Sequence, residues 1–270
     1  MTSTREARLF PALLRHWRSR RGQSQLDLAL AAGVSARHVS FLETGRARPS
    51  HEMVLLLATT LDVPLRDQNA MLDAAGFPAA FAEPSIDDLP PPIALAIERM
   101  LAQHEPYPMI VLSRGYDVLR SNAAATRVFM RFIAEPAAVE PPLNAFDLLF
   151  DPRLARPFVL GWERAARTLI ARLHREVLAR PGDAELGALL AALFEYSGVP
   201  EEWRQPDFSV PSEPTLEVRL RRDDLELGFL TALTQFNAPQ NITLDEVRLE
   251  SYFPSDEATA RACERLAREG

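Results

Sequence analysis

Two short helical segments joined across Gly33 constrain what this chain can fold into more than any other feature. Ser24 is a predicted N-cap for the first segment, and Asp27, three residues later, completes a capping-box pattern. Ser35 is a predicted N-cap for the second segment, which is expected to run to about Thr44. Because the connecting turn is so short, the two helices cannot lie antiparallel and must cross steeply. The sequence therefore predicts a helix-turn-helix.

Apolar residues at helical spacing predict three further helices around this pair, and so an all-α domain of five helices over residues 1–80. The helix that precedes the pair carries Trp17 on its apolar face. Ser50 is a predicted N-cap for the fourth helix. The fifth is expected to begin near Pro64 and to end at Gly76.

The second helix of the pair has two different sides. Val34, Val39 and Leu42 are expected to face the core of the domain. The opposite side is then free to enter a major groove of DNA. It carries Ala36, Arg37, His38, Phe41 and Thr44. A helical bundle without DNA-binding activity is the alternative interpretation of this pattern.

Residues 10–75 resemble the helix-turn-helix of the phage-repressor-like (XRE) family, with polar, turn and apolar positions in register. The matching residues are Arg18, Gly22, Gln25, Leu28, Ala29, Gly33, Val34, Ser35, Val39, Ser40, Leu42, Glu43, Thr44, Gly45, Arg46, Pro49 and Ser50. The resemblance implies a DNA-binding transcription regulator. It also implies a partly buried salt bridge between Arg18 and Glu43.

The resemblance further implies a role for each candidate DNA-binding residue. Gln25 would hold a phosphate and orient the recognition helix, while Ala36, Arg37 and Phe41 would face base edges. Arg37 can pair with a guanine through two hydrogen bonds, whereas the other two offer apolar contact. A packing role for Phe41 and a plain surface role for His38 stay open. Four residues are candidate contacts to the phosphate backbone, namely His38, Thr44, Arg46 and Arg48. The full set of candidates is Gln25, Ser35, Ala36, Arg37, His38, Phe41, Thr44, Arg46 and Arg48.

The charge of the chain is unevenly distributed. Its net charge is −7, but residues 1–82 carry 10 Arg against 7 Asp and Glu, whereas residues 83–270 carry 20 Arg against 30. A basic module attached to an acidic body is the pattern expected when only one end meets phosphates. The charge pattern thus agrees with DNA binding by the first domain.

Several kinds of catalytic and metal site are excluded or unsupported. The chain has no lysine, which excludes a Walker phosphate loop, a pyridoxal Schiff base and a Ser-Lys peptidase. No G-x-S-x-G or H-E-x-x-H occurs, the five histidines are isolated, and Cys263 is the single cysteine. We therefore expect no enzyme activity, no metal site, no cofactor and a reducing, cytoplasmic compartment. No apolar run is long enough to predict a membrane span.

A proline-rich linker is predicted over residues 81–107, with a short amphipathic helix inside it. Its apolar face carries Ile93, Ile97, Met100 and Leu101. The rest of the chain, residues 108–270, is predicted to form an α+β domain with one antiparallel sheet. Its predicted elements are strands Met109–Leu112, Tyr116–Arg120, Thr215–Leu220, Leu225–Phe236 and Leu244–Phe253, and helices at 122–133, 152–180, 184–197 and 256–268.

Several segments of this second domain resemble the MmyB-type ligand-binding domain. They include Pro108-Met-Ile-Val, Tyr116-Asp-Val-Leu-Arg-Ser-Asn, Phe150-Asp-Pro, Trp162-Glu-Arg-Ala-Ala and Leu173-His-Arg-Glu followed by Pro181-Gly-Asp. The resemblance implies a PAS-like sheet with helices on one side and a fatty-acyl-like ligand as a possible effector.

The apolar residues of this domain are compatible with a ligand pocket, although the alternative that they simply fill a core stays open. The candidate ligand-binding residues are Phe129, Phe132, Phe158, Trp162, Leu169, Leu193 and Phe229. A ligand carboxylate would need a polar anchor, for which the candidates are Arg127, Arg131, Arg156 and Arg167.

The sequence thus predicts a transcription regulator that binds double-stranded DNA as a homodimer on a near-palindromic operator and senses a small apolar ligand. Two alternatives come from other classes. The second domain could dock a partner protein, as in an antitoxin, or it could be an enzyme fused to a DNA reader. A stable complex on pull-down would favour the first alternative, and turnover of acyl or nucleotide substrates would favour the second.

Overall fold

The structure, a computed structural model, describes residues 9–180, 183–210, 216–237 and 241–269. Thr215, the predicted start of a strand, and Pro181, part of the segment that resembles the MmyB-type domain, lie outside the described residues. The chain divides into two compact units. One comprises residues Met1–Ser85 with Asn237–Asp245, and the other residues Ile86–Phe236 with Glu246–Gly270.

The first unit contains the five helices predicted from the sequence. They are α1 (Leu9–Arg20), α2 (Gln25–Ala32), α3 (Ala36–Glu43), α4 (His51–Thr60) and α5 (Leu65–Ala74). The capping box at α2 forms as predicted: the Ser24 hydroxyl accepts from the Asp27 backbone N–H at 3.1 Å, and the Asp27 carboxylate accepts from the Ser24 N–H at 2.8 Å. Ser35 and Ser50 cap α3 and α4 in the predicted manner.

The turn between α2 and α3 depends on Gly33. This residue has φ 67°, in the left-handed region that only glycine enters at little cost, and its N–H bonds back to α2. The crossing brings the apolar sides of both helices onto α1, where Leu14, Leu28, Val39 and Leu42 are completely buried. Local turn chemistry and one shared core therefore fix the orientation of α3.

A segment from the far end of the chain completes this unit. Residues 237–245 connect two strands of the second unit, yet they belong to the first one, where α11 (Ile242–Glu246) begins. The Ile242 N–H donates to the Ala82 carbonyl at 2.9 Å, and the Leu65 N–H donates to the Asp245 carboxylate at 3.2 Å.

The second unit holds a single five-stranded antiparallel sheet within the described residues, which confirms the predicted α+β class. Its strands are β1 (Met109–Leu112), β2 (Val118–Ser121), β3 (Leu216–Arg222), β4 (Leu225–Gln235) and β5 (Arg248–Pro254), in the order β2-β1-β5-β4-β3. The helices are α6 (Pro91–Gln103), α7 (Ala123–Phe129), α8 (Ala145–Phe150), α9 (Trp162–Ala179), α10 (Ala184–Leu193) and α12 (Glu257–Glu269).

Several predicted boundaries after residue 108 are wrong, by the most for one helix and one strand. The helix predicted over 152–180 begins only at Trp162, because Pro152 and Pro157 break the preceding stretch into turns and a 3₁₀ segment. The last strand was predicted from Leu244, but it starts at Arg248. Leu244 lies instead in α11, where it is buried, so its apolar character reflects helix packing.

Candidate DNA-binding surface and ligand cavity

The outward side of α3 presents the residues expected to meet bases. Arg37 and Thr44 are exposed, while Ala36, His38 and Phe41 are half-buried. The Phe41 ring lies between two guanidinium groups, with the Arg37 carbon at 5.1 Å and the Arg46 carbon at 6.0 Å from the ring centroid. Such cation–π contacts favour a defined position for otherwise mobile arginines. Phe41 thus has a packing role on the surface, toward Arg37 and Arg46.

The remaining candidates lie around this surface in different roles. The Ser35 hydroxyl accepts from the His38 N–H at 3.1 Å, so it caps α3. The Thr44 hydroxyl donates to the Ser40 carbonyl at 2.8 Å, and Arg48 is exposed after the helix.

Glu43, the last residue of α3, accepts hydrogen bonds from three side chains of two other helices. Its carboxylate is 1% exposed and accepts from the Arg18 Nε at 2.5 Å, while the Gln25 amide donates to its second oxygen at 2.7 Å. The Arg15 guanidinium donates to the Glu43 carbonyl at 2.8 Å. The structure thus contains the Arg18–Glu43 ion pair that the family resemblance implied, and it engages Gln25 in the same network.

The electrostatics of this cluster keep Glu43 ionised. Burial acts to raise the pKa of Glu43, but the hydrogen bonds from Arg18 and Gln25 and the positive charges of Arg18 and Arg15 outweigh burial and lower it. A negative charge at the base of a DNA-facing helix would repel phosphate if it were exposed. Its burial and pairing leave the outer side of α3 with arginine charges alone.

In the second unit, an apolar cavity lies between the sheet and helices α7, α8 and α9. Its wall is formed by Ile110, Tyr116, Phe129, Ala145, Phe146, Leu148, Leu149, Ala155, Val159, Leu169, Arg172, Leu216, Val218, Leu220, Leu233, Glu250 and Tyr252. The empty space is about 790 Å³, measured with its open mouth. Its lining is mostly apolar, which suits a ligand with a large apolar part.

The apolar space continues beyond this cavity. A second space of about 500 Å³, measured with its open mouth, is lined mostly by apolar residues between Ile110 and Leu148. It shares Ile110, Phe129 and Leu148 with the first, and these three side chains form a common wall between the two spaces.

The predicted ligand-binding residues divide between this cavity and the core. Phe129 and Leu169 line the cavity. Phe132, Leu193 and Phe229 are completely buried in the core. The two others, Phe158 and Trp162, pack against the core without lining the cavity. The Trp162 indole N–H donates to the Leu149 carbonyl at 2.7 Å and so orients a residue that does line it.

One end of the cavity is polar. The Tyr116 hydroxyl donates to Glu176 at 2.6 Å, and Glu176 also pairs with Arg248 at 2.7 Å and Arg172 at 3.2 Å. Burial acts to raise the pKa of Glu176, but the charge of Arg248 and the hydrogen bonds from Tyr116 and Arg248 lower it. For Glu250, which lines the cavity itself, burial prevails and raises the pKa despite the charge of Arg172.

Tyr116 occupies an unusual backbone conformation at this polar end. Its φ is 70°, a left-handed value that bulky residues rarely adopt and that costs about 1–3 kcal/mol. The hydrogen bond to Glu176, a guanidinium carbon of Arg248 at 4.4 Å from the ring and an edge contact with Phe146 hold it in place. Strain maintained in this way is typical of functional sites.

The four predicted carboxylate anchors have other partners, and none lines the cavity. Arg127 pairs with Glu105, Arg131 with Glu269, Arg156 donates to the Ser197 carbonyl, and Arg167 pairs with Asp207. Arg172 reaches the cavity instead. Its spacing of three residues from Leu169 on one helix face was the signal that could have identified it.

The described part of the chain contains neither a membrane-spanning helix nor a group of side chains that could hold a metal ion. No helix among the described residues is long and apolar enough to cross a membrane. No group of three or more His, Cys, Asp or Glu side chains in them is placed to hold a metal ion.

Two segments of the chain match models of known protein families. Residues 93–266 match the MmyB-like transcription regulator ligand binding domain, and residues 10–80 match a helix-turn-helix domain. The chain belongs to the MmyB-like transcription regulators. This MmyB-like protein combines a helix-turn-helix domain with the ligand binding domain of a transcription regulator, as the two resemblances implied.

Other comparisons are distant. No individually curated protein matches this MmyB-like chain. Among solved structures, it is similar to the "Structure of an RNA-binding Light-Oxygen-Voltage Receptor", at 14% identity and a TM-score of 0.27 over 94% of this chain. The chain spans 64% of the length of that structure.

Proposed function

We propose that this regulator reads a specific DNA sequence through α3 and changes its DNA binding when a fatty-acyl-like ligand enters the cavity of its second unit. It acts as a homodimer on a near-palindromic operator, in the cytoplasm, and it catalyses no turnover. One recognition helix covers only a few base pairs, and a second copy would place an equivalent helix about 34 Å away on the same DNA face.

The arrangement of Arg37 carries the DNA-binding part of the proposal. Its side chain is exposed on α3, and its guanidinium carbon lies 5.1 Å from the centroid of the Phe41 ring. The buried Glu43 at the end of α3 pairs with Arg18 of α1 and so fixes the orientation of α3. A positioned guanidinium can donate two hydrogen bonds to the O6 and N7 atoms of a guanine. Base selectivity would thus come from Arg37, and Gln25 and Arg46 would contribute to position.

The DNA-binding proposal is tested by selecting preferred sequences from a random pool and measuring the affinity of Arg37→Ala. We expect a loss of about 1–3 kcal/mol on the selected site and relaxed preference at one base pair. Arg48→Ala, which also removes an exposed arginine, is the matched control and should weaken all sequences about equally. Equal losses for Arg37→Ala on selected and scrambled DNA would exclude the proposed register of α3.

The ligand part of the proposal is supported by a cavity that is mostly apolar and is polar at one end, where Arg172 and Glu250 lie. Each buried methylene contributes about 0.8 kcal/mol, so a chain of a dozen carbons can offset the cost of association. The cavity residues Leu169 and Phe129 lie along the chain, and Arg172 lies at the polar end. A ligand can alter DNA affinity only if it prefers one of the arrangements available to the protein, so binding and regulation need separate tests.

Thermal unfolding with saturated fatty acids of increasing length tests binding. In protein freed of carried-over lipid, stabilisation should rise with chain length and fall once the cavity is full. Leu169→Phe should shorten the optimal chain, whereas Leu178→Phe, at an exposed position of the same helix, should not. An absence of stabilisation at every length would refute the acyl ligand. Operator binding measured with and without the best ligand then tests regulation.

A further inference from the structure

A second space adjoins the apolar cavity and has the opposite character. It is lined by Arg172, Glu176, Ala179, Arg180, Leu233, Gln235 and Arg248, and it shares Arg172 and Leu233 with the cavity. Its empty volume is about 580 Å³, measured with its open mouth. We call this space the basic cleft. A mostly apolar space therefore meets a polar, basic one at a common wall.

The two spaces form one continuous surface of the sheet. On β4 and β5, the opposed pairs Thr231 with Tyr252, Leu233 with Glu250 and Gln235 with Arg248 follow one another at steps of two residues. Residues two apart on a strand face the same side. The Leu233–Glu250 pair thus borders the cavity, and the Gln235–Arg248 pair, one strand step further, borders the basic cleft.

Residues of helix α9 line both spaces opposite the sheet. Leu169 and Arg172 line the cavity, and Arg172, Glu176 and Arg180 line the basic cleft. Steps of three and four residues keep Leu169, Arg172 and Glu176 on one helix face, and Arg180 follows as the C-cap residue just beyond α9. Sheet and helix together form a trough whose apolar part leads into its basic part.

The charge of the basic cleft is unbalanced. Three arginines, Arg172, Arg180 and Arg248, line the cleft with a single carboxylate, Glu176, an excess of two positive charges among its lining residues. Glu250, on the cavity side of the shared wall, interacts with Arg172 and Arg248, but burial raises its pKa and so disfavours its charged form. Arg172 and Arg248 both pair with Glu176. The Arg180 guanidinium has no ion pair or side-chain hydrogen bond with any residue that the structure describes, which leaves its donors available.

We propose that the basic cleft binds the phosphate head of a single-chain amphiphile whose alkyl or acyl chain occupies the adjoining cavity. A phosphate monoester carries about −1.5 to −2 charges at neutral pH, which matches the excess, and its three oxygens accept from several arginines at once. A carboxylate carries one charge and has two oxygens, one fewer than the phosphate, to accept from the arginines. The inference rests on the proposed function, because it takes the cavity to hold the chain.

Isothermal titration calorimetry with the full-length, lipid-free protein tests the assignment. The probes are dodecyl phosphate, dodecanoate and dodecanol, which share one chain and differ in the head, each used below the concentration at which it forms micelles. Dodecyl phosphate should bind at least tenfold more tightly than either of the others, because hydrogen bonds to charged groups are the strong ones. Dodecanol binding as tightly as dodecyl phosphate would overturn the proposal.

Arg180→Gln separates the head from the chain. It should weaken dodecyl phosphate binding about tenfold and leave dodecanol binding unchanged. Because no ion pair of Arg180 is lost within the described residues, the variant should keep the parent melting temperature. Arg164→Gln, an exposed arginine on the same helix away from the basic cleft, is the matched control and should alter neither affinity. An equal loss for all three probes in Arg180→Gln would refute the assignment.

The outcomes also separate this inference from the function on which it rests. Equal binding of all three probes would refute the phosphate head and would agree with an acyl chain in the cavity. Binding of none of them would refute both the phosphate head and the acyl ligand. A fourth probe, 1-lauroyl-glycerol 3-phosphate, distinguishes the source of the phosphate. If it binds as tightly as dodecyl phosphate, a glycerophospholipid head fits; if only dodecyl phosphate does, the phosphate is attached directly to the chain, and either result supports the proposal.

Discussion

Removing Arg18 should destabilise the DNA-binding unit through the charge that it leaves behind. The Glu43 carboxylate is 1% exposed in the parent protein, and in Arg18→Ala its remaining partners would be the Gln25 amide, at 2.7 Å in the parent, and the partly exposed Arg15, at 4.0 Å. Breaking a buried ion pair by deleting one partner costs about 3–5 kcal/mol. Glu43 can limit this loss by taking up a proton, which costs about 3.7 kcal/mol at pH 7 from an unperturbed pKa of about 4.3. We therefore expect a loss of about 3 kcal/mol.

Hydrogen–deuterium exchange of the α3 amides in the full-length protein measures this loss locally. The opening constant should rise about 100- to 200-fold in Arg18→Ala, since 1.4 kcal/mol corresponds to a factor of ten. Adding Glu43→Leu should recover most of the stability, because no buried charge is then left unpaired. Asp62→Asn removes the carboxylate of the exposed Arg21–Asp62 pair and should change exchange far less. An opening constant that rises as little in Arg18→Ala as in Asp62→Asn would refute the reasoning.

The same network gives a dependence on pH with a definite sign. The pKa of Glu43 is lowered in the folded protein, so its contribution is fully present above the unfolded value of about 4.3 and is lost as pH falls through the folded value. The difference between the parent protein and Arg18→Ala should therefore be full near neutral pH and shrink toward pH 3. A difference that grew on acidification would contradict the assignment of Glu43 as an ionised, paired group.

Three further changes have definite expected outcomes. Gly33→Ala should destabilise the α2–α3 turn by about 1–2 kcal/mol in amide exchange, because φ 67° is costly for alanine although no atom lies within 4 Å of the added carbon. Gly187→Ala, equally unobstructed but inside α10, should instead stabilise its helix by about 0.5–1 kcal/mol, and the reverse order would contradict both. Tyr116→Phe should lower the melting temperature of the second unit, since Glu176 loses a buried 2.6 Å donor, and an unchanged melting temperature would show that the Tyr116 hydroxyl contributes nothing.

The helix-turn-helix could be predicted almost completely because its determinants are local. Ser24 and Ser35 cap their helices through hydroxyls that reach backbone groups only three residues away, and Gly33 supplies the left-handed turn. Such contacts are fixed by neighbours in the chain, so they can be inferred from residue order. The Arg18–Glu43 pair spans 25 residues and was inferred from the family resemblance instead.

The second unit shows what residue order could not provide. Phe129 and Phe132 are three residues apart and equally apolar, yet the first lines the cavity and the second is completely buried in the core. Apolar character predicts burial, but whether a gap is left beside a side chain depends on how the helices and sheet pack together. Arg172, Arg180 and Arg248 likewise meet only because β5 returns beside α9. The sequence alone determined the DNA-binding unit and the class of the second unit, while the cavity and its basic cleft follow from tertiary packing.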